Sequence, residues 1–198
     1  TVFQIERDAH MIVRRITAGA AGLALVGTAF AAAPAMAKTN TTTLKLDAGL
    51  VSALGAASVA PSAVKPAKLK GTTISFPAKL KGKTVTHKGG LKLTAAAGFV
   101  SLENIVINYK NGKATASVGN PITPDPLTIN NILVIKGGKN KIAKNGTWNN
   151  ATASLAKSVE ALGAKQDPAV LLAQVLGLPA GSIPTGQKLG KITIKVKK

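Results

Sequence analysis

The sequence predicts a mostly β fold, an antiparallel β-sandwich or partly open barrel with two or three short helices. Segments such as TLKLD, KTVTH and KITIKVKK alternate apolar with polar residues, as half-buried strands do. Clusters of glycine, proline and asparagine separate these segments at short intervals, which is typical of turns. Only a few segments carry the apolar spacing or the capping residues of helices.

The N-terminal region has the composition of an export signal. An arginine pair precedes an uncharged stretch of small apolar residues, which ends in Ala-Met-Ala before Lys38. We therefore expect residues 11–37 to be a secretory signal peptide, preceded by an upstream extension at 1–10. The alternative is a membrane anchor, for which the apolar stretch is short. Residues 38–198 are then one secreted β-rich domain that meets the membrane only through an uncleaved signal peptide.

Two helices are predicted from their capping residues. Asp47 follows the first strand, TLKLD, and can cap AGLVSAL, with Gly55 just past its end. Asp167 and Pro168 are the expected N-cap and first residue of AVLLAQVL, which Gly177 ends. A third helix is predicted over ATASLAKSVEAL, because its apolar positions fit the helical period.

The rest of the chain is predicted to be strands and loops. SVAPSAVKPAK is a connection that we expect to cross the core, and TTISF is a strand that stops at Pro77. KTVTH and LKLTA are short strands on either side of a turn at 88–90. NPITPDP is a loop, LTINNILVIKG is a strand bulged at Asn130-Asn131, and Trp148 belongs to a loop tucked onto the sheet. The final strand, KITIKVKK, turns its apolar side chains inward and its lysines outward.

A β-hairpin is predicted around Asn111-Gly112, the pair that two-residue type I′ turns prefer. This turn places Lys110 opposite Lys113 and Tyr109 opposite Ala114. Directly opposed residues share a face of the sheet. One face of the hairpin is then apolar and consists of Ile105, Ile107, Tyr109, Ala114, Ala116 and Val118.

The charge of the chain is strongly positive and is carried by lysine. The sequence has 26 Lys and Arg against seven Asp and Glu, a net charge of +19, and all of its arginines precede Lys38. Such a surface attracts polyanions such as anionic wall polymers. We expect no specific nucleic-acid binding, because such binding favours the planar guanidinium and aromatic stacking platforms. A solvated coat of lysines on exposed strands is the alternative to a binding surface.

The chemistry-bearing residues are too sparse for an enzyme. The sequence has no cysteine, which excludes thiol catalysis, Cys-zinc sites and disulfides. After Lys38 the acids are scattered along the chain, and no G-x-S-x-G or P-loop pattern occurs. We therefore expect a non-enzymatic protein, without a metal site beyond a haem iron.

A repeated pattern supplies the candidate residues for polyanion binding. KLKGTTIS and KLKGKTVT stand eleven residues apart, and in each a glycine is followed by threonines and β-branched residues. We interpret them as two similar strand entries with outward lysines. The candidate residues, which lie in and after the second copy, are Lys79, Lys81, Lys83, Lys88 and Lys92. The lysines of residues 191–198 form a second Lys-rich strand.

His87, at the end of the second copy, is the candidate ligand-binding residue. A single imidazole can be the axial ligand of a haem iron, because the porphyrin supplies the other four bonds. Tyr109, on the apolar face of the hairpin, can add an oxygen ligand or a ring that packs on the macrocycle. The alternatives are a histidine hydrogen-bonded to the backbone and an ordinary core or rim tyrosine.

The segment from KLKGKTVTHKGGLKL to YKNGKATASV resembles the β-rich domains of secreted and cell-wall proteins of actinobacteria. It is similar to the haem-binding HtaA-type domain, whose H-x-G-x-L stretch here reads His87-Lys88-Gly89-Gly90-Leu91. The resemblance covers about residues 70–198 and implies an exported β domain that binds or relays haem. The family's early segment is rich in aromatic residues and contains a ligating tyrosine, whereas this chain has LDAGLVSALGA there, without an aromatic residue. Only His87 is therefore carried over. A structural or adhesive envelope protein that holds anionic wall polymers is the alternative function.

Overall fold

The computed structural model describes residues 40–161 and 163–197. The predicted upstream extension (1–10) and signal peptide (11–37) lie outside the described residues. The mostly β, antiparallel fold with short helices is confirmed. The elements are β1 (Thr41–Leu46), α1 (Ala48–Ala56), β2 (Ala60–Val64), β3 (Lys68–Lys70), β4 (Thr73–Lys81), β5 (Thr84–His87), β6 (Gly90–Thr94), β7 (Phe99–Asn108), β8 (Lys113–Gly119), β9 (Leu127–Lys136), β10 (Lys139–Lys141), α2 (Ile142–Asn145), β11 (Thr147–Leu155), β12 (Val159–Ala161), β13 (Ala164–Gln166), α3 (Pro168–Val175) and β14 (Lys188–Lys195).

The strand pairings close into a barrel-like ring of antiparallel strands. The order around the ring is β7, β5, β4, β1, β14, β11, β9 and β8, and β8 pairs again with β7. β5 and β6 lie end to end along β7, and β2 pairs with the outer side of β6. The first and last strands are neighbours in the ring, with Thr41 opposite Lys195.

The interior of the ring is apolar because the strands alternate as the sequence predicts. In β14 the buried Ile192 and Ile194 alternate with the exposed Lys191 and Lys195. Every strand of the ring contributes buried apolar side chains to the same core. The interior therefore holds the ring together without disulfides, and the lysines are left on the outside.

Both helices predicted from capping residues are confirmed. The Asp47 carboxylate accepts a hydrogen bond from the Gly49 N–H at 3.1 Å, and α1 begins after it. The Asp167 carboxylate accepts from the Ala169 N–H at 2.8 Å at the start of α3. The predicted end of α1 is wrong, because Gly55 lies inside the helix, which continues to Ala56.

The prediction of a helix over ATASLAKSVEAL is wrong. Residues Thr147–Leu155 are strand β11, which pairs with β14 and β9, and β12 follows it. The segment also satisfies a period of two, since Ala153 and Leu155 are buried and Ser154 between them is less so. Pairing with two neighbours in the closed ring decides between the two periods. Trp148 is likewise a buried residue of β11 rather than a loop residue.

The predicted hairpin is present, but its register is wrong. Asn108 and not Lys110 lies opposite Lys113, and Ile107 lies opposite Ala114. The turn is longer than the predicted two residues, with the Gly112 N–H donating to the Asn108 carbonyl at 2.8 Å. Next to the turn the slip is by two residues, so the side chains there keep their face. A bulge between Glu103 and Val106 shifts the register by one more residue, and Val118 lies opposite Leu102 instead of Ile105. The predicted apolar face is buried apart from Tyr109, which is half-buried.

Two further predictions about strands are wrong. Strand β4 continues through Pro77, which pairs with Thr41 at the very start of β1 and accepts from the Lys88 N–H through its carbonyl. The connection predicted to cross the core instead contains β2, an outer strand on which proline is tolerated.

The bulge of β9 at Asn130-Asn131 is confirmed, with Asn131 at a φ of 57°. No helix in the described part of the chain is long and apolar enough to span a bilayer.

Candidate functional site

Lysines converge at one end of the ring, which we call the basic end. Its lysines come from the β4–β5, β7–β8 and β9–β10 turns, from α2 and from the end of β14. All of them are exposed. They are Lys81, Lys83, Lys110, Lys113, Lys136, Lys139, Lys141, Lys144, Lys195 and Lys197.

Hydrogen bonds between the turns hold the basic end together. The Tyr109 hydroxyl donates to the Gly82 carbonyl at 3.4 Å, and the Asn140 side-chain amide donates to the Tyr109 carbonyl at 2.7 Å. The Trp148 indole N–H donates to the Gly137 carbonyl at 2.8 Å. Turns that are distant in the sequence are thereby fixed next to one another, so their lysines form one surface.

The turns of the basic end share one sequence pattern, in which lysines flank glycine. KGK at 81–83, KNGK at 110–113 and KGGK at 136–139 each place glycine at positive φ between two lysines. At Gly112 the reason is close packing, since a Cβ there would lie 2.1 Å from the Ile135 carbonyl oxygen. Glycine forms the turn and the flanking lysines extend into solvent.

No described carboxylate forms an ion pair with a lysine of the basic end. Four of the described acids lie away from it: Asp47 and Asp167 cap helices, Asp125 is in the β8–β9 loop and Glu103 is in β7. Glu160, in β12, lines a pocket together with Lys113 at the edge of the basic end. The one ion pair among residues 40–161 and 163–197 joins Lys188 to Asp47 at 2.5 Å, and it lowers the pKa of Asp47. No lysine of the basic end therefore forms an ion pair within the described chain.

The structure divides the five predicted polyanion-binding lysines. Lys81 and Lys83 belong to the basic end, and Lys79 lies next to them on β4, opposite Thr86. Lys88 is exposed beyond the other end of β5. Lys92 is half-buried on β6, with its ammonium 4.0 Å from the centre of the Phe99 ring. The lysines of the other turns were missed, although their shared Lys-Gly-Lys pattern was a signal that could have identified them.

His87 is buried in the interior of the ring, at 4% exposure. Its Nδ1 lies 2.8 Å from the Ile105 carbonyl oxygen, and its Nε2 lies 2.7 Å from the Thr42 hydroxyl. A carbonyl can only accept, so Nδ1 carries the proton and Nε2 accepts from Thr42 in the neutral ring. The edge of the ring packs against Phe76 with the ring centres 6.0 Å apart.

The surroundings of His87 keep it neutral. Burial lowers its pKa to about 4, against the smaller opposite effect of the hydrogen bond to the Ile105 carbonyl. Both ring nitrogens are satisfied, and no described buried side-chain N or O atom lacks a hydrogen-bond partner. The imidazole therefore serves as a hydrogen-bonded link between β5, β7 and β1.

The residues around His87 do not fit a haem group in this arrangement. The interior cavity that His87 lines measures about 30 Å³, which is room for about one water molecule. Its Nε2, the atom that would ligate iron, is bonded to Thr42. Tyr109 does not contribute to the surroundings of His87. It lies four residues beyond Ile105 along the chain, and its hydroxyl donates a hydrogen bond to the Gly82 carbonyl at the rim of the ring. No three His, Asp or Glu residues of the described chain gather as metal ligands.

Comparison with known proteins gives one weak similarity. No family model and no curated protein matches the sequence. The fold is similar to the crystal structure of the N-terminal domain of HtaA from Corynebacterium glutamicum, with a TM-score of 0.49 and 13% identity over 82% of this chain and 100% of that chain. The resemblance to the HtaA-type domain is confirmed as a weak one. A similarity at this level transfers no function or ligand to this chain.

Proposed function

We propose that this chain is an exported, non-enzymatic envelope protein that binds anionic polymers through its basic end. The observation that carries the proposal is the gathering of exposed lysines from five separate segments, none of which forms an ion pair in the described chain. A solvated coat of lysines requires no such segregation. Concentrating like charges at one end costs folding free energy, which a bound polyanion would offset.

The ligand is proposed to be a polymer rather than a small anion. Neighbouring strands lie about 4.8 Å apart, so lysines on successive turns are spread over several strand spacings. Ammonium groups at such distances contact successive charges of a chain better than they enclose one ion. Lysine is a hydrated point charge, which suits charge matching without geometric selection. The predicted polymers are therefore anionic polymers of the cell wall, and the binding weakens with salt.

The test compares two variants of equal net charge. In the first, Lys81, Lys83, Lys110 and Lys113 of the basic end become Gln. In the second, four other exposed lysines, Lys45, Lys68, Lys70 and Lys88, become Gln. Binding of a soluble poly(glycerol phosphate) is measured by titration calorimetry, with neutral dextran as the blank.

We expect the basic-end variant to lose affinity on the order of 1,000-fold, because each of its four lysines near an anionic surface contributes about 1 kcal/mol. The control variant loses only the few-fold that net charge alone accounts for. Equal losses in the two variants would refute the proposal, since binding would then follow total charge. Binding that does not change between low and high salt would refute it as well.

Haem binding through His87 stays the second candidate. The observation that favours it is the hydrogen bond from Nδ1 to the Ile105 carbonyl, because ligating histidines are commonly oriented in this way. Haem would have to displace Thr42 from Nε2 and open an interior that has no room for a porphyrin. Hemin is titrated into the wild type and into His87→Gln, and the Soret band is recorded. A Soret shift that His87→Gln abolishes would establish ligation by His87.

Export is part of the proposal and has its own test. The predicted signal peptide implies a mature chain that begins at Lys38. We expect N-terminal sequencing of the protein recovered outside the membrane to read KTNTTT. Protein that stays with the membrane and retains residues 11–37 would contradict export with cleavage.

A further inference from the structure

An apolar pocket of about 250 Å³ lies between α3 and the β8–β9 loop. Its walls include Val118 and Ile129 from β8 and β9 and Leu172 and Val175 from α3. An apolar cavity of about 150 Å³ already suffices to bind a benzene-sized molecule rather than water. The pocket is therefore large enough for a short aliphatic chain and smaller than typical sites for drug-sized ligands, about 300–1,000 Å³.

The mouth of the pocket is held in place by its own hydrogen bonds. The Asn120 side-chain oxygen accepts from the N–H groups of Ile122 at 2.8 Å and Thr123 at 3.0 Å. The Asn120 amide donates to the Thr123 hydroxyl at 3.0 Å. On the inner side Pro121 packs closely on Gly98, where a Cβ would lie 3.2 Å from the proline ring. Such a loop keeps the pocket open without a ligand, which lowers the entropic cost of binding.

Ile122 is the most exposed large apolar side chain of the described residues. It is 75% exposed, although it lines the mouth of the pocket, and the Asn120 hydrogen bonds fix the turn that holds it there. An isoleucine in this position gains contacts only when a molecule enters beside it. Its exposure and the cavity are two independent observations that indicate an apolar ligand.

The charge at the pocket limits the head group of that ligand. Asp125 is the one charged residue that lines it, and no lysine does. A carboxylate head would face Asp125 without a cation beside it, whereas an ammonium or hydroxyl head would not be repelled. We propose that this pocket binds one short aliphatic chain that carries a cationic or uncharged head group.

The experiment titrates the full chain with decylammonium and decanoate below their micelle concentrations and with 1-decanol below its solubility limit. Calorimetry gives stoichiometry and affinity, and methyl NMR shows whether Val118, Ile129 and Val175 respond. The net charge of +19 attracts decanoate to the protein in general. A preference for decylammonium therefore cannot come from net charge. We expect one decylammonium or decanol per chain, bound about tenfold more tightly than decanoate.

Exposed residues supply variants that leave the fold intact. Ile122→Ser is expected to weaken decanol binding about tenfold. Val170→Ser is the matched control, because Val170 is an exposed apolar residue of α3 outside the pocket and its loss should change little. Asp125→Lys is expected to reverse the preference between decylammonium and decanoate.

Four results would overturn the proposal. They are the absence of saturable binding at one site, tighter binding of decanoate by the wild type, equal effects of Ile122→Ser and Val170→Ser, and shifts confined to methyl groups outside the pocket. A fifth such result would be binding that begins only above the micelle concentration of the ammonium or the carboxylate, because it would indicate association with a surfactant aggregate. None of these results bears on polymer binding at the basic end.

Discussion

The two copies of the KLKG-x-T pattern lie at opposite ends of strand β4. The first copy forms the turn at Gly71 between β3 and β4, and the second forms the turn at Gly82 between β4 and β5. Both glycines have a φ of 57° and open space around their Cα atoms. The same local sequence therefore gives the same backbone turn twice.

The two turns differ in what the topology places beside them. Gly82 receives the Tyr109 hydroxyl and lies next to the Lys-Gly-Lys turns of other hairpins, whereas the first turn receives the Leu46 N–H at Thr72. Only the second copy becomes part of a surface of converging lysines. A repeat in the sequence therefore determines the shape of a turn, and the function of that turn depends on which distant residues lie beside it.

The largest expected effect concerns the glycines that form the turns. Gly112→Ala places a Cβ 2.1 Å from the Ile135 carbonyl oxygen at a φ of 71°, so the β7–β8 turn must move. We expect a loss of more than about 3 kcal/mol of unfolding free energy. Gly71→Ala and Gly82→Ala meet no atom and should each cost only about 1 kcal/mol, the conformational cost alone. Chemical denaturation measures all three. Equal costs would show that open and packed turns do not differ.

The second expected effect is a pH dependence of stability caused by His87 in the interior of the ring. The folded-state pKa of His87 is about 4 and the unfolded value is about 6.5, so the unfolded chain binds more protons between these pH values. Stability is then full above about pH 6.5 and decreases as the pH falls towards 4, by about 3 kcal/mol in total.

Denaturation of the wild type and of His87→Gln at several pH values measures this effect. The variant should lack the decrease between pH 6.5 and 5, where few carboxylates titrate. A wild-type stability that stays constant across this range would contradict the buried neutral imidazole.

A third expected effect compares the lysines of the two repeat copies directly. Lys81→Gln with Lys83→Gln removes two charges from the basic end, and Lys68→Gln with Lys70→Gln removes two from the other copy. Binding of poly(glycerol phosphate) should weaken about 30-fold in the first variant and about twofold in the second. A reversed order would place the polymer on the outward face near β3 instead of at the basic end.

The smallest expected effect concerns the hydrogen bond between His87 and Thr42. Thr42→Val leaves Nε2 without a donor in the interior and should cost about 1 kcal/mol, while Thr42→Ser keeps the hydroxyl and costs less. Thermal unfolding compares the two variants. A Val variant as stable as the Ser variant would show that the link from β5 to β1 contributes nothing.

Local signals in the sequence were enough to predict much of the fold. Asp47 and Asp167 identified their helices because capping is a contact within a few residues. The final strand was predicted because its alternation is regular. The register of the hairpin was predicted wrongly, since the length of its turn depends on packing between Gly112 and Ile135 in another strand. The helix predicted over β11 was wrong because a sequence rich in alanine and serine satisfies both periods.

The candidate site was only partly predictable for the same reason. The sequence identified Lys81 and Lys83, but the lysines that surround them come from other segments, and the end of β14 is more than a hundred residues away. His87 was identified as unusual, yet its partner Thr42 lies 45 residues earlier in the chain. Contacts between such distant residues follow from the closure of the ring, which no local pattern determines.

The pairing of β1 with β14 decides how this protein responds to a pulling force. Thr41 lies opposite Lys195, and the Lys197 N–H donates to the Asn40 side chain, so both ends of the described chain leave side by side from the basic end. A force that separates them would open the β1–β14 ladder one hydrogen bond at a time, instead of shearing all its bonds together. The same adjacency makes a circular permutant practicable, with a short linker from Lys197 to Asn40 and new ends in an exposed loop. Such a permutant would move the points of attachment away from the lysines.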